Sequence, residues 1–320
     1  MKSSEHELLL PPVEEENICL SLSVNAVSKY WSIDLPLQEA IEIAQKYSNV
    51  NGSILIEGIE LAERHGLGSL ILHSSISELK KIINMGIPPI VILPGIQDTI
   101  QHASVISGYD DKEKTIIHYI PQQHKEDEFQ IGVIPEKKFD SLWAEDGRLM
   151  IILAPIDILS ELKIGDKKSE KSNRLCFVSE RLNIQRKPDE AVQSLKNAIE
   201  LDNKNSTAFA LLGGILNEQS SPECVKYYEK SIAINDRCYL AYRGLGNYYL
   251  KNKQHDNAEQ YYTKAIQINP TRFGPIYKNR GLARLEQKKT REARQDFENY
   301  LKHTPNAKDK QSILQAISEL

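Results

Sequence analysis

The sequence predicts an α+β domain followed by an all-α array of helical hairpins. Three observations predict this fold class. The first half places helical apolar patterns before short β-rich runs, the second half repeats itself every 33–35 residues, and the two halves differ in charge. Residues 1–171 hold 16 Lys and Arg against 27 Asp and Glu, a net charge of −11, whereas residues 172–320 hold 24 against 17, a net charge of +7. Such asymmetry is expected of two domains with different partners.

Composition excludes several classes of protein. The chain has 320 residues, which favours about two domains, and its 40 % hydrophobic and 26 % charged residues are ordinary for a globular protein. No segment approaches the ~18 consecutive apolar residues of a membrane span, and the first residues lack a secretory apolar core and cleavage site. We therefore expect a cytoplasmic protein that does not enter a membrane.

The cysteines, histidines and basic residues predict neither a metal site nor a nucleic-acid surface. The four cysteines are far apart and include no C-x-x-C pair, which argues against a zinc site and a disulfide framework. The histidines show no ligand spacing. A charge of +7 from scattered basic residues is too weak to indicate nucleic-acid binding. We expect no metal, cofactor or nucleic-acid partner.

The first half begins with three amphipathic helices. Leu20, Val24, Val27 and Trp31 recur at helical spacing, which predicts a helix over 17–31 with Cys19 at its start. Two more helical patterns follow, at 35–47 and 54–66. The period then changes to short β-rich runs, at 69–73, 88–94, 102–110, 115–121 and 149–155.

This order of elements resembles the papain-like cysteine peptidases that process bacteriocin leaders at a double glycine. Four features carry the resemblance. They are Cys19 with Tyr30-Trp31 about a dozen residues later, Asn51-Gly52-Ser53, the strand Gln101-His102-Ala-Ser-Val105-Ile-Ser-Gly108-Tyr109-Asp110, and Phe139-Asp-Ser-Leu-Trp143. The resemblance covers roughly residues 10–155 and implies a papain-like fold for residues 1–155.

The same resemblance implies that Cys19 is the nucleophile and His102 its base. A helix N-terminus and a neighbouring imidazole would lower the pKa of the Cys19 thiol. The family's orienting Asp aligns with Ile120, however, and its oxyanion-stabilising Gln aligns with Val13. Loss of one oxyanion donor costs ~100–1000-fold in rate. Gln122 could replace the orienting Asp only after a change of register.

Two interpretations of the first half therefore stay open. In the first, Cys19 is an inert thiol and His102 a hydrogen-bonded core histidine, so the domain is a pseudoenzyme that holds a peptide without cutting it. In the second, they form an active thiol peptidase or acyl-transfer dyad. Both interpretations, if the fold is right, require Cys19 and His102 to approach each other across a cleft.

Residues 156–171 form a predicted exposed connector, and residues 172–320 a predicted repeat array. Gly246 and Gly281, Ala258 and Ala293, Tyr262 and Phe297, and Pro270 and Pro305 are each 35 residues apart. The pattern continues upstream at 33–34 residues. It resembles the tetratricopeptide (TPR) repeat, with about four units and an end helix after residue 307. The resemblance implies a superhelix whose first (A) helices line a groove for a peptide or helix.

Three polar residues give this groove a candidate binding site. Arg243 and Asn247 are one helical turn apart, and Asn279 follows on the A helix of the next repeat. The set resembles the carboxylate clamp of chaperone-binding TPR domains, where basic and amide groups grip a C-terminal carboxylate. The clamp's Lys and Arg on the following helix are not cleanly present here, and a solvated helix surface is the alternative.

The sequence thus favours a peptide- or protein-binding scaffold with a degenerate peptidase-like domain and a repeat groove. We expect a protein or peptide partner of acidic character or with a free C-terminus. The alternative is an active Cys19–His102 peptidase whose repeats select its substrates.

Overall fold

A computed structural model of the chain describes residues 19–47, 54–94, 101–120 and 130–320. The chain divides into two compact units between Ala208 and Phe209. Among the helices described, none is both long enough and apolar enough to cross a bilayer.

The first unit contains helices and a six-stranded sheet. Its helices are α1 (Cys19–Tyr30), α2 (Leu37–Gln45), α3 (Leu55–Arg64), α4 (Ile76–Asn84), α5 (Glu136–Trp143), α6 (Ile156–Glu161), α7 (Lys167–Ile184) and α8 (Pro188–Leu201). Its strands are β1 (Leu67–His73), β2 (Ile90–Pro94), β3 (Gln101–Asp110), β4 (Thr115–Ile120), β5 (Gln130–Pro135) and β6 (Leu149–Pro155), in the sheet order β1-β6-β2-β3-β4-β5. The predicted helices and strands are present, α4, α5, α6 and β5 are additions, and a papain-like architecture stays a prediction.

Two apolar cores hold the first unit together. One core joins α1 and α3 to the sheet, because every α1 residue from Leu20 to Ser28 is buried. The second core lies on the other face of the sheet. It contains side chains of α4 and α5 and the alternate strand residues that do not face α1 and α3. Both tryptophans donate to β6: Trp31 Nε1–H to the Leu153 carbonyl at 2.9 Å and Trp143 Nε1–H to the Leu149 carbonyl at 2.8 Å. These two bonds tie α1 and α5 to the same strand.

Helix α7 belongs to the first unit, although the sequence predicted a connector at 156–171 and repeats from 172. The side chain of Asp166 caps α7 by accepting from the Lys168 and Ser169 amides. The Asn173 amide donates to the Ile71 carbonyl of edge strand β1 at 2.9 Å, and Phe177 is buried in the α1 core. A carbonyl on a sheet edge needs such a partner. These contacts attach α7 to the first unit, whose boundary with the second lies at 208/209. The predicted domain limits stay predictions.

The second unit consists of helical hairpins. Its helices are α9 (Ser206–Glu218), which begins at the boundary, α10 (Cys224–Ile234), α11 (Tyr239–Lys251), α12 (His255–Ile268), α13 (Pro275–Glu286), α14 (Thr290–His303) and α15 (Lys310–Glu319). In each hairpin an aromatic ring of the second helix lies on a glycine of the first. A Cβ added to Gly246 would lie 2.6 Å from Tyr262, and one added to Gly281 would lie 2.8 Å from Phe297. This close approach is the physical reason for the 35-residue pattern of glycine and aromatic residues.

Candidate functional site

Arg243, Asn247 and Asn279, the polar row, lie on the neighbouring helices α11 and α13. The Asn279 amide donates to Asn247 Oδ1 at 3.4 Å, and the Tyr262 hydroxyl donates to the same oxygen at 2.8 Å. Arg243 is one turn before Asn247 on α11, so its side chain lies on the same face of that helix. The two amides are therefore brought together, and Tyr262, which sequence reasoning left out of the site, fixes one of them.

Arg243 is half-buried against an aromatic ring. Its guanidinium carbon lies 5.0 Å from the centre of the Phe273 ring, in the turn between α12 and α13. The guanidinium carbon of Arg272, the residue before Phe273, lies 4.8 Å from the centre of the Tyr239 ring. Tyr239 is one turn before Arg243 on α11. Each arginine thus stacks on an aromatic residue of the other segment. Burial lowers the pKa of Arg243, and the positive charge of Arg272 lowers that pKa further.

Among the arginines on α11 and α13, Arg243 is the one to which the described residues supply no acidic partner. Arg280 pairs with Asp296 at 2.7 Å, and Arg284 contacts the same carboxylate at 2.9 Å. Across the described ranges, Arg243 forms neither a hydrogen bond nor an ion pair. Stacking occupies one face of the guanidinium and leaves its N–H edge free to bind a carboxylate.

The start of α1 lies against the start of β3, where the sequence predicted the Cys19–His102 pair. The Cys19 sulfur accepts from the Ala103 amide at 3.5 Å, and the Ala103 carbonyl accepts from the Ser23 hydroxyl at 3.5 Å. Burial raises the pKa of the Cys19 thiol and lowers the pKa of His102. Both shifts favour the neutral thiol and the neutral imidazole. The catalytic role of the pair stays a prediction.

His102 is close to a second histidine that sequence reasoning passed over. Burial lowers the pKa of His118, on β4, to about 4, and the charge of His102 contributes to that shift. The Ser104 hydroxyl lies 3.0 Å from His118 Nδ1. Because residues 102 and 104 alternate with Ala103 on one strand, His102 and Ser104 share a face with His118. One sequence signal could have indicated His118. It lies on the predicted strand at 115–121, two residues before Ile120, the position at which the orienting Asp was expected.

Several predicted features lie outside the described residues. These are Asn51-Gly52-Ser53, Val13 and Gln122. In the part of the chain that the structure describes, no group of three or more His, Cys, Asp or Glu side chains could hold a metal ion.

Comparison with known proteins identifies the repeat. Residues 239–272 match the family model described as tetratricopeptide repeat. The chain is 32 % identical over 109 residues to anaphase-promoting complex subunit 3 of Schizosaccharomyces pombe, a match over 32 % of this chain and 16 % of that protein. It is 28 % identical over 117 residues to the cell division cycle protein 27 homolog of Caenorhabditis elegans, over 36 % and 15 % respectively. The matches thus span about a sixth of the length of these relatives.

Solved structures with similarity to this chain include Pseudomonas aeruginosa PilF and MamA of Desulfovibrio magneticus RS-1. PilF is 22 % identical with a TM-score of 0.43, over 48 % of this chain and 69 % of that one. MamA is 16 % identical with a TM-score of 0.41, over 47 % and 93 %. The TPR assignment rests on the family match and on the repeated hairpins.

Proposed function

We propose that this protein is a protein-interaction scaffold whose repeat helices bind a partner peptide and whose polar row holds the peptide's C-terminal carboxylate. The observation that carries the proposal is Arg243, a stacked cation without an acidic partner in the described chain, one turn from an exposed amide that contacts a second amide. A carboxylate placed there accepts from the guanidinium edge and from the amide N–H groups.

The chemistry of the row favours a partner with a free C-terminus or an acidic end. Each charge-assisted bond contributes about 1.5–3 kcal/mol when it replaces water. The net charge of +7 on residues 172–320 attracts an acidic segment over a longer range, which salt screens. The partners proposed are proteins or peptides, and the cytoplasm stays the proposed location because the cysteines show no pairing pattern.

The test measures binding of matched peptides to the 320-residue chain. A fluorescent acidic peptide with a free C-terminus should bind at least tenfold more tightly than its C-terminal amide. Arg243→Gln should abolish that difference. Arg291→Gln, at an exposed position on α14, is the charge-matched control and should preserve it. Equal affinity of the wild-type protein for the free-acid peptide and the amide would show that the polar row does not bind the carboxylate.

For the first unit we propose a peptidase-like domain that holds a peptide without cleaving it. Support comes from the raised pKa of Cys19 and the lowered pKa of His102, which leave both groups uncharged near neutral pH. A thiol needs its thiolate form to attack a peptide bond. We expect little or no hydrolysis of double-glycine leader peptides.

The alternative, an active thiol peptidase, draws on the place of Cys19 in the first turn of α1, where the helix dipole favours a thiolate. Alkylation by iodoacetamide, read residue by residue in mass spectra, separates the two. We expect Cys19 to react no faster than a free cysteine near pH 7. Faster alkylation, together with peptide cleavage that Cys19→Ala abolishes, would establish the peptidase instead.

A further inference from the structure

Strand β5 is an outer strand of the six-stranded sheet, because the sheet order ends on it. The outer side of such a strand presents backbone N–H and C=O groups that can pair with another chain, and proteins usually cover or blunt it. At the opposite edge of this sheet, α7 covers β1 through the bond from Asn173 to the Ile71 carbonyl. No described strand pairs with the outer edge of β5.

The hydrogen bonds of β5 show which of its backbone groups face outward. One residue beyond the β4–β5 ladder, the Glu136 amide donates to the Lys114 carbonyl at 2.8 Å. Hydrogen-bonded and non-hydrogen-bonded pairs alternate along an antiparallel ladder, so Ile134 and Gly132 also bond to β4. The N–H and C=O groups of Val133, which lies between them, consequently point away from β4.

The outward backbone groups of β5 belong to Ile131, Val133 and Pro135. Pro135 offers only a carbonyl, and proline is tolerated in a strand where its missing N–H would point away from the sheet. The side chain of Val133 is 58 % exposed, although Ile117, opposite it on β4, is buried. An exposed aliphatic side chain beside outward backbone groups is typical of an edge that accepts a further strand.

The charges on either side of β5 favour an antiparallel partner of the same sequence. The sequence that leads into the strand is acidic, with Glu126, Asp127 and Glu128, whereas α5, which follows the strand, exposes Lys137 and Lys138. Two antiparallel copies of β5 bring the acidic end of each strand to the basic end of the other. Two parallel copies would bring like charges together, which is unfavourable.

We propose that β5 pairs antiparallel with β5 of a second copy of this chain, with Val133 opposite Val133. In this register the two Val133 residues exchange N–H···O bonds, and each Ile131 amide donates to the Pro135 carbonyl of the other copy. The side chains of Ile117 and Val133 then form an aliphatic row that continues across the axis. The dimer does not involve the residues of the polar row. One strand pair buries less than the ~1,000 Å² of a stable interface, so we expect a reversible dimer with a dissociation constant of about 1–100 µM.

The test is sedimentation velocity of the 320-residue chain over concentrations that bracket this dissociation constant. We expect the wild-type chain to pass reversibly from monomer to dimer. Val133→Lys and Val133→Asp should each weaken the dimer at least about tenfold, because like charges then lie opposite each other. An equimolar mixture of the two variants should recover the dimer, since the introduced charges attract across the axis. Met85→Lys adds the same charge at another exposed apolar position of the first unit, and this control should dimerise like the wild type.

Hydrogen exchange of single amides, read by nuclear magnetic resonance, gives a second measurement on the wild-type chain. The Gly132 and Ile134 amides should be protected at every concentration, whereas the Val133 amide should become protected only as the dimer forms.

A wild-type chain that stays monomeric overturns the inference, as does a dimer that both Val133 variants leave intact. If the mixture of variants stays monomeric, Val133 does not face its own copy and the proposed pairing is wrong. Protection of the Val133 amide at the lowest concentration would mean that another segment of the same chain pairs with β5, which also overturns the inference.

Discussion

Burial of His118 gives the first unit a specific sensitivity to acid. The pKa of His118 is lowered from 6.5 to about 4, so the unfolded chain binds this proton at a higher pH than the folded chain. The free energy of unfolding should therefore fall as pH drops from about 6.5 to 4, by up to about 3 kcal/mol. His118→Gln can keep a bond to Ser104 but cannot titrate. Urea unfolding across this range should show a flatter profile in the variant, and an unchanged slope would contradict the assignment.

Glu180 on α7 should have the opposite pH dependence. Burial, with a smaller contribution from Asp146, raises the pKa of Glu180 from 4.5 to about 7. The folded chain then holds this proton more tightly than the unfolded chain, so the free energy of unfolding falls as pH rises from about 4.5 to 7. This loss of unfolding free energy amounts to up to about 3 kcal/mol in the wild-type chain. Because the Glu180→Gln variant does not titrate, it should be more stable than the wild-type chain at pH 8. Because the windows of Glu180 and His118 overlap, each must be measured in its own variant.

Adjacent glycines on α9 should respond oppositely to alanine. A Cβ at Gly213 would lie 2.8 Å from the Tyr228 ring, whereas one at Gly214 would meet nothing closer than the Tyr228 hydroxyl at 3.9 Å. Gly214→Ala should stabilise the helix by up to about 1 kcal/mol through propensity. Gly213→Ala should destabilise the hairpin by about 1–3 kcal/mol, because the ring must move. Thermal unfolding followed by circular dichroism distinguishes the two, and equal shifts would mean that the ring does not set the helix spacing.

The helices α13 and α14 are joined by a buried charge. Asp296 is 1 % exposed and accepts from Arg280 at 2.7 and 3.0 Å and from Arg284 at 2.9 Å. Asp296→Ala leaves two partly buried arginines without this partner and should cost about 3–5 kcal/mol. Lys289→Ala breaks a more exposed pair with Glu259 and should cost less than about 1 kcal/mol. Similar losses in the two variants, measured by chemical denaturation, would contradict this contrast.

The sequence predicted those features whose contacts lie within one element, within one repeat or between equivalent helices of adjacent repeats. Gly246 and Tyr262 contact each other inside one hairpin, so the spacing repeats along the chain and is visible without a structure. The bond from Asn173 to Ile71 spans 102 residues, and no local pattern indicates that a repeat-like helix closes a sheet edge. The sequence did not predict the contact between Phe273 and Arg243, because Phe273 lies in a turn rather than on the helical face that carries Arg243.

At the scale of the whole molecule, the limit of the first unit decides which fragments fold. A fragment ending at residue 171 loses the Asn173 bond to β1 and the buried Phe177 ring, and it exposes an edge strand. A fragment ending at residue 205 retains both. We expect residues 1–205 to unfold cooperatively and residues 1–171 to aggregate or unfold without a transition. Phe177→Ala in the full chain should cost about 3–5 kcal/mol. Cooperative unfolding of residues 1–171 with undiminished stability would contradict this boundary.

Both tryptophans of the chain donate hydrogen bonds to β6, so the tryptophan fluorescence of the chain comes entirely from the first unit. Excitation at the long-wavelength edge of protein absorption selects Trp31 and Trp143 and passes over the many tyrosines of the hairpins. Emission then reports the unfolding of the first unit, whereas far-ultraviolet dichroism reports the helices of both units, so a dichroism transition without an emission change belongs to the second unit. Without any added dye, the wild-type chain therefore carries a built-in optical probe that separates the melting of its two units.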